Sequence, residues 1–368
     1  MVGQYAPGRL SHYSEPRHTT GHARPVGTHP SAVSETVLIP SRQHAIVISA
    51  PGGPEVLLEN ASWPVPQPLA DDDVLIQVMA AGINRHDCNQ RKAGPKHEPN
   101  PVPGLEAAGI IVAVGKNVSR QRVGERVVAL TDGGAYAQFV AAASELALPM
   151  PEGLDWVSAA ALPEALFTTW FNFIELMRLT PGETALIHGG ASGVGSIAIQ
   201  LLKALGHPVY ATAGTTKKRD AALRFGCTAA FDYNDPDLAK RVMAATNNRG
   251  VDTILDMSAG AHVDADLAMI AAGGRISHLS AGGGKSLALP LRALMARRAS
   301  VTGAFLRSTP LAIKTKIARE LRATAWPLLG THVLPSIEVT YPLANAADAH
   351  RHMERSTHIG KIILTVGT

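Results

Sequence analysis

Side chains that commonly bind zinc crowd into residues 84–109, which read NRHDCNQRKAGPKHEPNPVPGLEAAG. The stretch contains one Cys, two His, one Asp and two Glu, and zinc is bound by sulfur, imidazole nitrogen and carboxylate oxygen. However, His86, Asp87 and Cys88 are consecutive and cannot all point at one ion without distortion. His97 lies on a Pro-rich loop at unsuitable spacing. The composition of this stretch therefore suggests a metal site, but the spacing of these side chains does not favour one.

A second chemical signal lies at residues 184–206, TALIHGGASGVGSIAIQLLKALG. A predicted strand leads into a glycine-rich turn and then into an apolar-periodic helix. Gly193, Gly195 and Ala198 fit G-x-G-x-x-A, in which the glycines permit a tight turn and a close approach to a pyrophosphate, and alanine allows close packing. The N-terminus of this helix would supply free N–H groups and a positive dipole end, which favour the binding of phosphates. We therefore expect Gly193, Val194 and Gly195 to bind a dinucleotide.

The next predicted strand indicates which dinucleotide is bound. NAD-binding proteins usually place an acid about 20 residues further on, to hold the ribose hydroxyls. Here the chain reads VYATAGTTKKRD at 209–220, with no acid before Asp220. Cations such as Lys218 and small hydroxyls would bind a 2′-phosphate that an acid would repel. The pattern favours NADPH, although the cations could also be an ordinary solvated helix start.

These motifs need two kinds of scaffold. From His44 to about residue 150, strand follows strand, which predicts a barrel-like β domain. Beyond a helical segment at 156–179, six strands alternate with helices or crossovers, which predicts an open parallel sheet. The predicted strands are TALIH, PVYATAG, AAFDYN, VDTILDMS, GRISHLS and SVTGAFL. A last strand, GKIILTV, is expected to return to the first domain, so the fold class is α/β.

Length, charge and cysteine count restrict the classes of protein to which this chain can belong. The 368 residues are too many for one core. The net charge of +4 is small, and no run of like charges resembles a nucleic-acid patch. Two widely separated cysteines fit reduced thiols, and no apolar run could span a bilayer. We expect a cytoplasmic protein whose residues 1–42, rich in His, Pro, Ser and Thr, form a disordered extension.

From residue 43 to 368 the chain resembles the zinc-free quinone oxidoreductases of the medium-chain dehydrogenase/reductase superfamily. The segments that carry the resemblance are AAGINRHD, PVPGLEAAGIIVAVG, VGERVVAL, GAYAQFV, LPEALFTTW, HGGASGVGSIAIQ, AGTTKK and IGKIILT. It is most similar to the tumour-suppressor-inducible branch and its bacterial relatives. The resemblance implies a GroES-like β-barrel catalytic domain (43–163 and 307–368), a Rossmann NADPH-binding domain (164–306) and a homodimer.

The resemblance also implies which residues lie around the cofactor. Asn84 and Thr168 match residues near the nicotinamide and are the expected catalytic residues. Leu279, Phe305 and Lys361 align with segments that line the cofactor, the first two through packing or backbone groups.

Three further positions match the adenosine end of the cofactor. Gly214, Lys218 and Tyr233 match residues that hold the 2′-phosphate and ribose. The resemblance therefore implies that the cationic turn after the second strand belongs to the cofactor site.

Compared with the zinc enzymes of the same superfamily, the chain lacks the zinc ligands. The three ligand positions fall at Asn84, at Leu105 and near Ala165, and the insert with four closely spaced cysteines is missing. No metal site is therefore expected. Asp87 is predicted to be the N-cap of a helix and Glu106 to be a hydrogen-bonded structural acid. Cys88 is predicted to be a small, half-buried residue.

Without zinc an alcohol is not easily deprotonated and oxidised, so the expected substrate accepts hydride unaided. Quinones fit, because reduction gives an aromatic hydroquinone, and the protein then supplies orientation and a dry cleft. His86, Asp87 and His278 are weak candidates for the general acid, and water could supply the proton. Two alternatives stay open: an NADPH-dependent enone or alkenal reductase, and an NADPH-binding structural or RNA-associated protein. The low aromatic content of 5% disfavours RNA as the main ligand.

Overall fold

The computed structural model describes residues 38–96, 100–258, 260–280 and 286–367, all within a unit that spans Val37–Thr368. The extension predicted for residues 1–42 lies outside the described residues as far as residue 37, and His97 also lies outside them. The first strand begins at Arg42, the last residue of the predicted extension.

The first part of the chain forms strands, because β-branched and aliphatic residues run between glycines, prolines and acids. Its elements are β1 Arg42–Ile48, β2 Leu57–Pro64, β3 Asp73–Gly82, α1 Arg85–Ala93, β4 Glu106–Val114, β5 Arg126–Leu130, β6 Phe139–Ala143 and β7 Ala147–Pro149. β1 and β2 form an antiparallel pair, β3, β4, β5 and β7 are successive neighbours, and β6 pairs with β3. The pattern GAYAQFVAA predicts a strand from Gly134, but β6 begins only at Phe139, because Gly133 and Gly134 adopt positive φ angles that end regular pairing.

Two helices link this part to the next, as the helical spacing predicted. They are α2 Trp156–Ala160 and α3 Pro163–Trp170, and a π-helical turn, Phe171–Leu176, continues α3. Pro163 opens α3, where its missing N–H breaks no helical hydrogen bond. Leu166 and Phe167 are buried in an apolar cluster that also contains residues of the later helices at 193–204 and 311–324. A buried Leu or Phe side chain contributes about 1.5–3 kcal/mol, so this packing fixes the start of α3.

The next part alternates strands and helices and confirms the predicted six-stranded sheet. Its elements are β8 Ala185–His188, α4 Gly193–Ala204, β9 Val209–Thr212, α5 Thr216–Phe225, β10 Ala229–Phe231, α6 Leu238–Ala245, β11 Val251–Asp256, α7 Val263–Met269, β12 Ile270–His278, α8 Leu291–Arg297 and β13 Ser300–Gly303. Neighbouring strands are parallel in the order β10-β9-β8-β11-β12-β13, which is the Rossmann order. β11 is buried at every position, as expected for a strand covered on both faces.

One helix boundary in this sheet differs from the prediction. The apolar spacing of DADLAMIAA predicts a helix over the whole segment, but α7 stops at Met269. Ile270 pairs with Val251 and starts β12. Tertiary pairing thus overrides the helical preference of a short apolar segment.

The chain then returns to the first sheet, as predicted. Its last elements are α9 Leu311–Thr324, β14 Ile337–Pro342, α10 Ala346–Arg355 and β15 Lys361–Thr365. β15 pairs in parallel with β14 and antiparallel with β3, where Gly82 is opposite Ile363. The bounds of the two domains stay a prediction. In the four described ranges, no helix is both long enough and apolar enough to cross a membrane.

Candidate functional site

A glycine-rich turn joins β8 to α4 at the carboxyl edge of the parallel sheet. Gly189, directly after β8, has a φ of 73°, a conformation that only glycine adopts easily. The tight turn therefore depends on Gly189. The prediction that assigned it to Gly193 is wrong, because Gly193 is the first residue of α4. Ala198 is fully buried against the sheet, as the pattern predicted.

The first turn of α4 fits a pyrophosphate. Ser192 Oγ accepts the N–H of Gly195 at 3.0 Å, whereas the N–H groups of Gly193 and Val194 have no preceding helical turn to bond. A Cβ on Gly195 would lie 2.4 Å from the carbonyl oxygen of Gly189, so the helix packs directly on the turn. Free N–H groups and the positive end of the helix dipole together make an anion site.

The predicted adenosine-end residues lie beyond β9. A Cβ on Gly214 would lie 2.3 Å from the Tyr233 hydroxyl, so the two residues are in contact. Lys218 lies in the first turn of α5, and its Nζ donates to the carbonyl oxygen of Ser356 at 2.5 Å. Burial lowers the pKa of the Lys218 ammonium. The structure thus brings Gly214 and Tyr233 together and directs Lys218 towards the chain before β15.

Leu279 and Phe305 follow the carboxyl ends of β12 and β13. The Leu279 N–H donates to the Asp256 carbonyl oxygen at 2.8 Å, and the Phe305 side chain is 64% exposed. His278 Nδ1 is 3.1 Å from a carboxylate oxygen of Asp256. Ligands of doubly wound sheets bind outside the carboxyl ends of the strands, so both predicted residues are at the edge where a cofactor would bind.

Lys361 connects the glycine-rich turn to the strand-rich domain. Its side chain is only 3% exposed, and its Nζ donates to Asn84 Oδ1 at 2.7 Å and forms an ion pair with Glu106. A Cβ on Gly193 would lie 2.3 Å from Lys361 Cδ, so the stem of Lys361 lies against the start of α4. The backbone of Gly360 also donates to the carbonyl oxygen of Ala191 at 2.8 Å.

Glu106 organises the residues around this ammonium. It is fully buried and accepts from Asn84 Nδ2 at 2.8 Å and from the Glu164 N–H at 2.9 Å, in addition to its contact with Lys361. A Cβ on Gly82 would lie 2.1 Å from its Oε1, so the carboxylate lies across β3 where no side chain intervenes. The prediction of a hydrogen-bonded structural acid is confirmed.

Glu164, which the sequence reasoning missed, lies between Glu106 and Thr168. Thr168 Oγ1 donates to Glu164 Oε1 at 3.3 Å, and Thr168 is buried. Burial and the nearby Glu106 carboxylate raise the pKa of Glu164 to about 8, although Lys361 opposes the shift. The available signal was one acid in an otherwise apolar helical segment, AALPEALFTTW. The two predicted catalytic residues are thus joined through two carboxyl groups.

Asp87 is not the N-cap of α1, because that position belongs to Asn84. Asp87 is the third residue of α1, in its first turn, and its Oδ2 accepts the Asn84 N–H at 2.7 Å and the Tyr136 hydroxyl at 3.0 Å. The carboxyl is fully buried, and this burial raises its pKa to about 6 despite the hydrogen bonds. The Asn84 side chain is thereby free to contact Glu106 and Lys361.

Two other polar residues of the first stretch, Cys88 and His86, are buried or already in contact with another side chain. Cys88 is fully buried rather than half-buried, and burial raises the pKa of its thiol to about 12, which does not suit a nucleophile. His86 Nε2 lies 3.2 Å from a guanidinium nitrogen of Arg307.

The residues at the matched metal positions do not fit a zinc ion. Leu105 and Ala165 carry no donor atom, and the oxygens of Asn84 and Glu106 are held by the ammonium of Lys361. Zinc requires three or four N, S or O donors around one point. Within the part of the chain that the structure describes, no group of three His, Cys, Asp or Glu side chains is arranged to hold a metal.

Comparisons with known proteins cover both parts of the chain. The family profile described as alcohol dehydrogenase GroES-like domain matches residues 70–152, and the profile described as zinc-binding dehydrogenase matches residues 193–322. The quinone oxidoreductase of Sus scrofa is 32% identical over 322 residues, which are 85% of this chain and 94% of that protein. A mycocerosic acid synthase-like polyketide synthase of Mycobacterium tuberculosis is 36% identical over 72% of this chain, but the chain spans only 13% of that protein.

Solved structures of similar proteins also match this chain over most of its length. Mycobacterial Rv1454c complexed with NADPH has a TM-score of 0.78 at 27% identity, covering 88% of this chain and 99% of that chain. The CurK enoyl reductase has a TM-score of 0.76 at 25% identity, covering 89% of this chain and 100% of that chain.

Proposed function

Because the chain belongs to the medium-chain dehydrogenase/reductase superfamily and has quinone oxidoreductases among its relatives, we propose that it reduces quinones with NADPH in a zinc-independent cleft. The contact of Lys361 with Asn84 and Glu106 carries this proposal. At the positions where a zinc enzyme needs metal ligands, this chain has the amide of Asn84 and the donor-free side chains of Leu105 and Ala165. The Asn84 amide is held by the neighbouring Lys361–Glu106 ion pair, and this arrangement cannot activate an alcohol as zinc does. A quinone needs no such activation, because it becomes aromatic when it accepts hydride or electrons.

NADPH is the proposed cofactor. The relative Rv1454c was solved with NADPH, and the start of α4 offers free N–H groups to a pyrophosphate. The turn after β9 carries Lys218 and no acid before Asp220, so it suits a 2′-phosphate. We assign Gly193, Val194 and Gly195 to the pyrophosphate.

The remaining site residues keep their predicted assignments as proposals. Gly214, Lys218 and Tyr233 are assigned to the adenosine end of the cofactor. Leu279, Phe305 and Lys361 are assigned to its nicotinamide half, where Asn84 and Thr168 act as catalytic residues.

A second candidate function is the NADPH-dependent reduction of enones or alkenals. It is supported by the likeness to the CurK enoyl reductase and by the match to a segment of a polyketide synthase. Enones and quinones both accept hydride at an electron-poor carbon or oxygen, so one cleft could serve either class. The choice depends on the shape of the substrate side of the cleft.

The test follows NADPH absorbance with a panel of ortho- and para-quinones, enones and simple alcohols, with and without a chelator. Reduction of quinones that a chelator leaves unchanged would support the proposal. Faster turnover of enones would favour the second candidate. Alcohol oxidation that the chelator abolishes would contradict both.

We also propose a cytoplasmic homodimer. Light scattering of the purified chain at several concentrations would measure its mass, and a persistent monomer would contradict the dimer. A gel shift with single-stranded RNA, competed by NADPH, would test the alternative of an RNA-associated protein.

A further inference from the structure

Three carboxyl groups meet beside Lys361, but they differ in access to solvent. Glu106 on β4 and Asp87 on α1 are fully buried, whereas Glu164 on α3 is partly exposed. The two buried carboxyl groups are already occupied by structural contacts. Glu106 accepts hydrogen bonds from Lys361 and Asn84. Asp87 accepts hydrogen bonds from three donors of the strand-rich domain. Glu164 is therefore the carboxyl of this group that a substrate could reach.

One oxygen of Glu164 is available. Oε1 accepts from Thr168 Oγ1 at 3.3 Å, and no bond to Oε2 is made by any residue in the described ranges. Four buried side-chain atoms lack a partner in those ranges, and Oε2 of Glu164 is not one of them. This oxygen therefore reaches solvent, on the same helix face as Thr168, which is a proposed catalytic residue.

The charges that surround Glu164 keep a proton on it. The carboxylate of Glu106 and the more distant Asp87 oppose its ionisation, Lys361 and the Thr168 hydroxyl favour it, and burial is the largest influence. Their balance raises the pKa of Glu164 to about 8. The carboxyl is thus mostly protonated at neutral pH, and an acid with a pKa near the working pH is suited to proton transfer.

We propose that Glu164 is the proton donor of this enzyme and delivers a proton to the substrate as the substrate is reduced. The proposal rests on the proposed function and extends it, because none of the residues considered from sequence supplied a convincing acid. It makes Glu164 a catalytic residue beside Thr168, with Glu106 as its positioning residue.

The substrate gains a hydride with two electrons from the nicotinamide, which is oxidised, and one proton from Glu164. The O–H bond of the carboxyl breaks, and a new O–H bond forms on a quinone oxygen or a new C–H bond on an enone carbon. The Glu164 carboxylate is stabilised by the start of α3 and by Lys361, and it regains a proton from solvent through Oε2.

The experiment compares Glu164→Gln with the wild-type full-length protein on two kinds of acceptor. Enones need a proton on carbon, whereas quinones whose hydroquinones are strong acids need little help. We expect Glu164→Gln to lower kcat/KM for enones by roughly 100-fold or more and for the acidic quinones by less than about threefold. In the wild type, kcat/KM for enones should fall as the pH rises through about 8, because the acid form is lost. The variant should lack this decrease.

A second readout is independent of turnover. Infrared spectra of the wild type and of Glu164→Gln are compared without ligand at neutral pH. Their difference should contain the band of a protonated carboxyl, because only the wild type has this group. The matched control is Glu175→Gln, which removes a carboxylate paired with Lys316 near the end of the same helical segment and should change neither readout. Glu164→Asp should restore part of the enone activity, and Thr168→Val should shift the pH at which activity falls.

Three results would overturn the proposal. The first is an enone rate and a pH profile that Glu164→Gln leaves unchanged. The second is an equal loss on both kinds of acceptor together with weaker NADPH binding by fluorescence, which would make Glu164 a structural residue. The third is the absence of the carboxyl band. If the wild type reduces neither kind of acceptor, the proposed function itself fails, and this proposal fails with it.

Discussion

At the scale of single residues, Lys361 shows what the sequence could and could not predict. Its place beside the cofactor was expected from the terminal IGKIILT segment. Its bonds to Asn84 and Glu106 were not expected, because they join residues 277 and 255 positions apart, and no local pattern encodes such a contact. Glu164 was missed for a different reason, since an acid after a proline at a helix start is ordinary for the first helical turn.

The buried ion pair allows a stability prediction. Lys361→Met keeps the stem that lies against Gly193 but leaves the Glu106 carboxylate buried and unpaired, so we expect a loss of about 3–5 kcal/mol in the free energy of unfolding. The double variant Lys361→Met/Glu106→Gln should lose clearly less, because no uncompensated charge remains. Urea denaturation measures both.

The control for this cycle is Lys316→Met, which removes an exposed ion pair with Glu175 and should cost about 0–1 kcal/mol. Equal losses in the Lys361 single and double variants would contradict the account of the pair.

The cofactor preference can be tested at Lys218. Replacing it with Ala should raise KM for NADPH by roughly 10–100-fold, the loss of a charged hydrogen bond, and should change KM for NADH little. Lys217→Ala, an exposed neighbour, is the control and should affect neither. Equal effects of Lys218→Ala on the two cofactors would show that this lysine does not select the 2′-phosphate.

At the scale of elements, β8, α4 and their turn were predictable because strand pattern, glycines and helical periodicity agree. Where these signals are weak, tertiary contacts determine where a helix or strand begins and ends. α1 begins at Arg85, two residues before Asp87, with Asn84 as its N-cap. α7 ends at Met269 because Ile270 joins the sheet.

The tight packing of α4 on its turn gives a prediction for two glycines of one helix. Gly195→Ala would place a methyl 2.4 Å from a backbone oxygen, so we expect a stability loss of about 1–3 kcal/mol and weaker NADPH binding. Gly193→Ala would place a methyl 2.3 Å from Lys361 Cδ, in a side chain that the ion pair with Glu106 holds in place, so we expect a loss of similar size. Chemical denaturation and calorimetric titration measure these effects, and a fully stable Gly195→Ala would refute the close packing.

At the scale of the whole molecule, the chain builds a strand-rich domain, then the parallel sheet, and returns through β14 and β15 to the first domain. The sequence predicted both sheets and the return. It could not give the register of Ile363 opposite Gly82 or the bond from Gly360 to Ala191, because strand register depends on partners that are distant in sequence.

Since Gly360 and Lys361, at the start of β15, contact the glycine-rich turn and α4 while β15 pairs with β3, cofactor binding should stabilise the described unit as a whole. At 100 times its Kd, NADPH should add about 2.7 kcal/mol to the free energy of unfolding and move a single thermal transition upward. NADH at the same concentration should move it less. Two separate transitions, only one of which responds to NADPH, would contradict this coupling.

The pairing of β15 with β3 also has a consequence for synthesis on the ribosome. Ala80–Gly82 of β3 must wait for Ile363–Thr365, which at 5–20 residues per second takes roughly 15–60 s. During this interval the last three of the ten residues of β3 have an open edge, a hazard for association with other nascent chains. The Lys361 ammonium lies in the same late segment, so the nascent chain pairs the buried Glu106 carboxylate and covers the open edge of β3 at the same stage of synthesis.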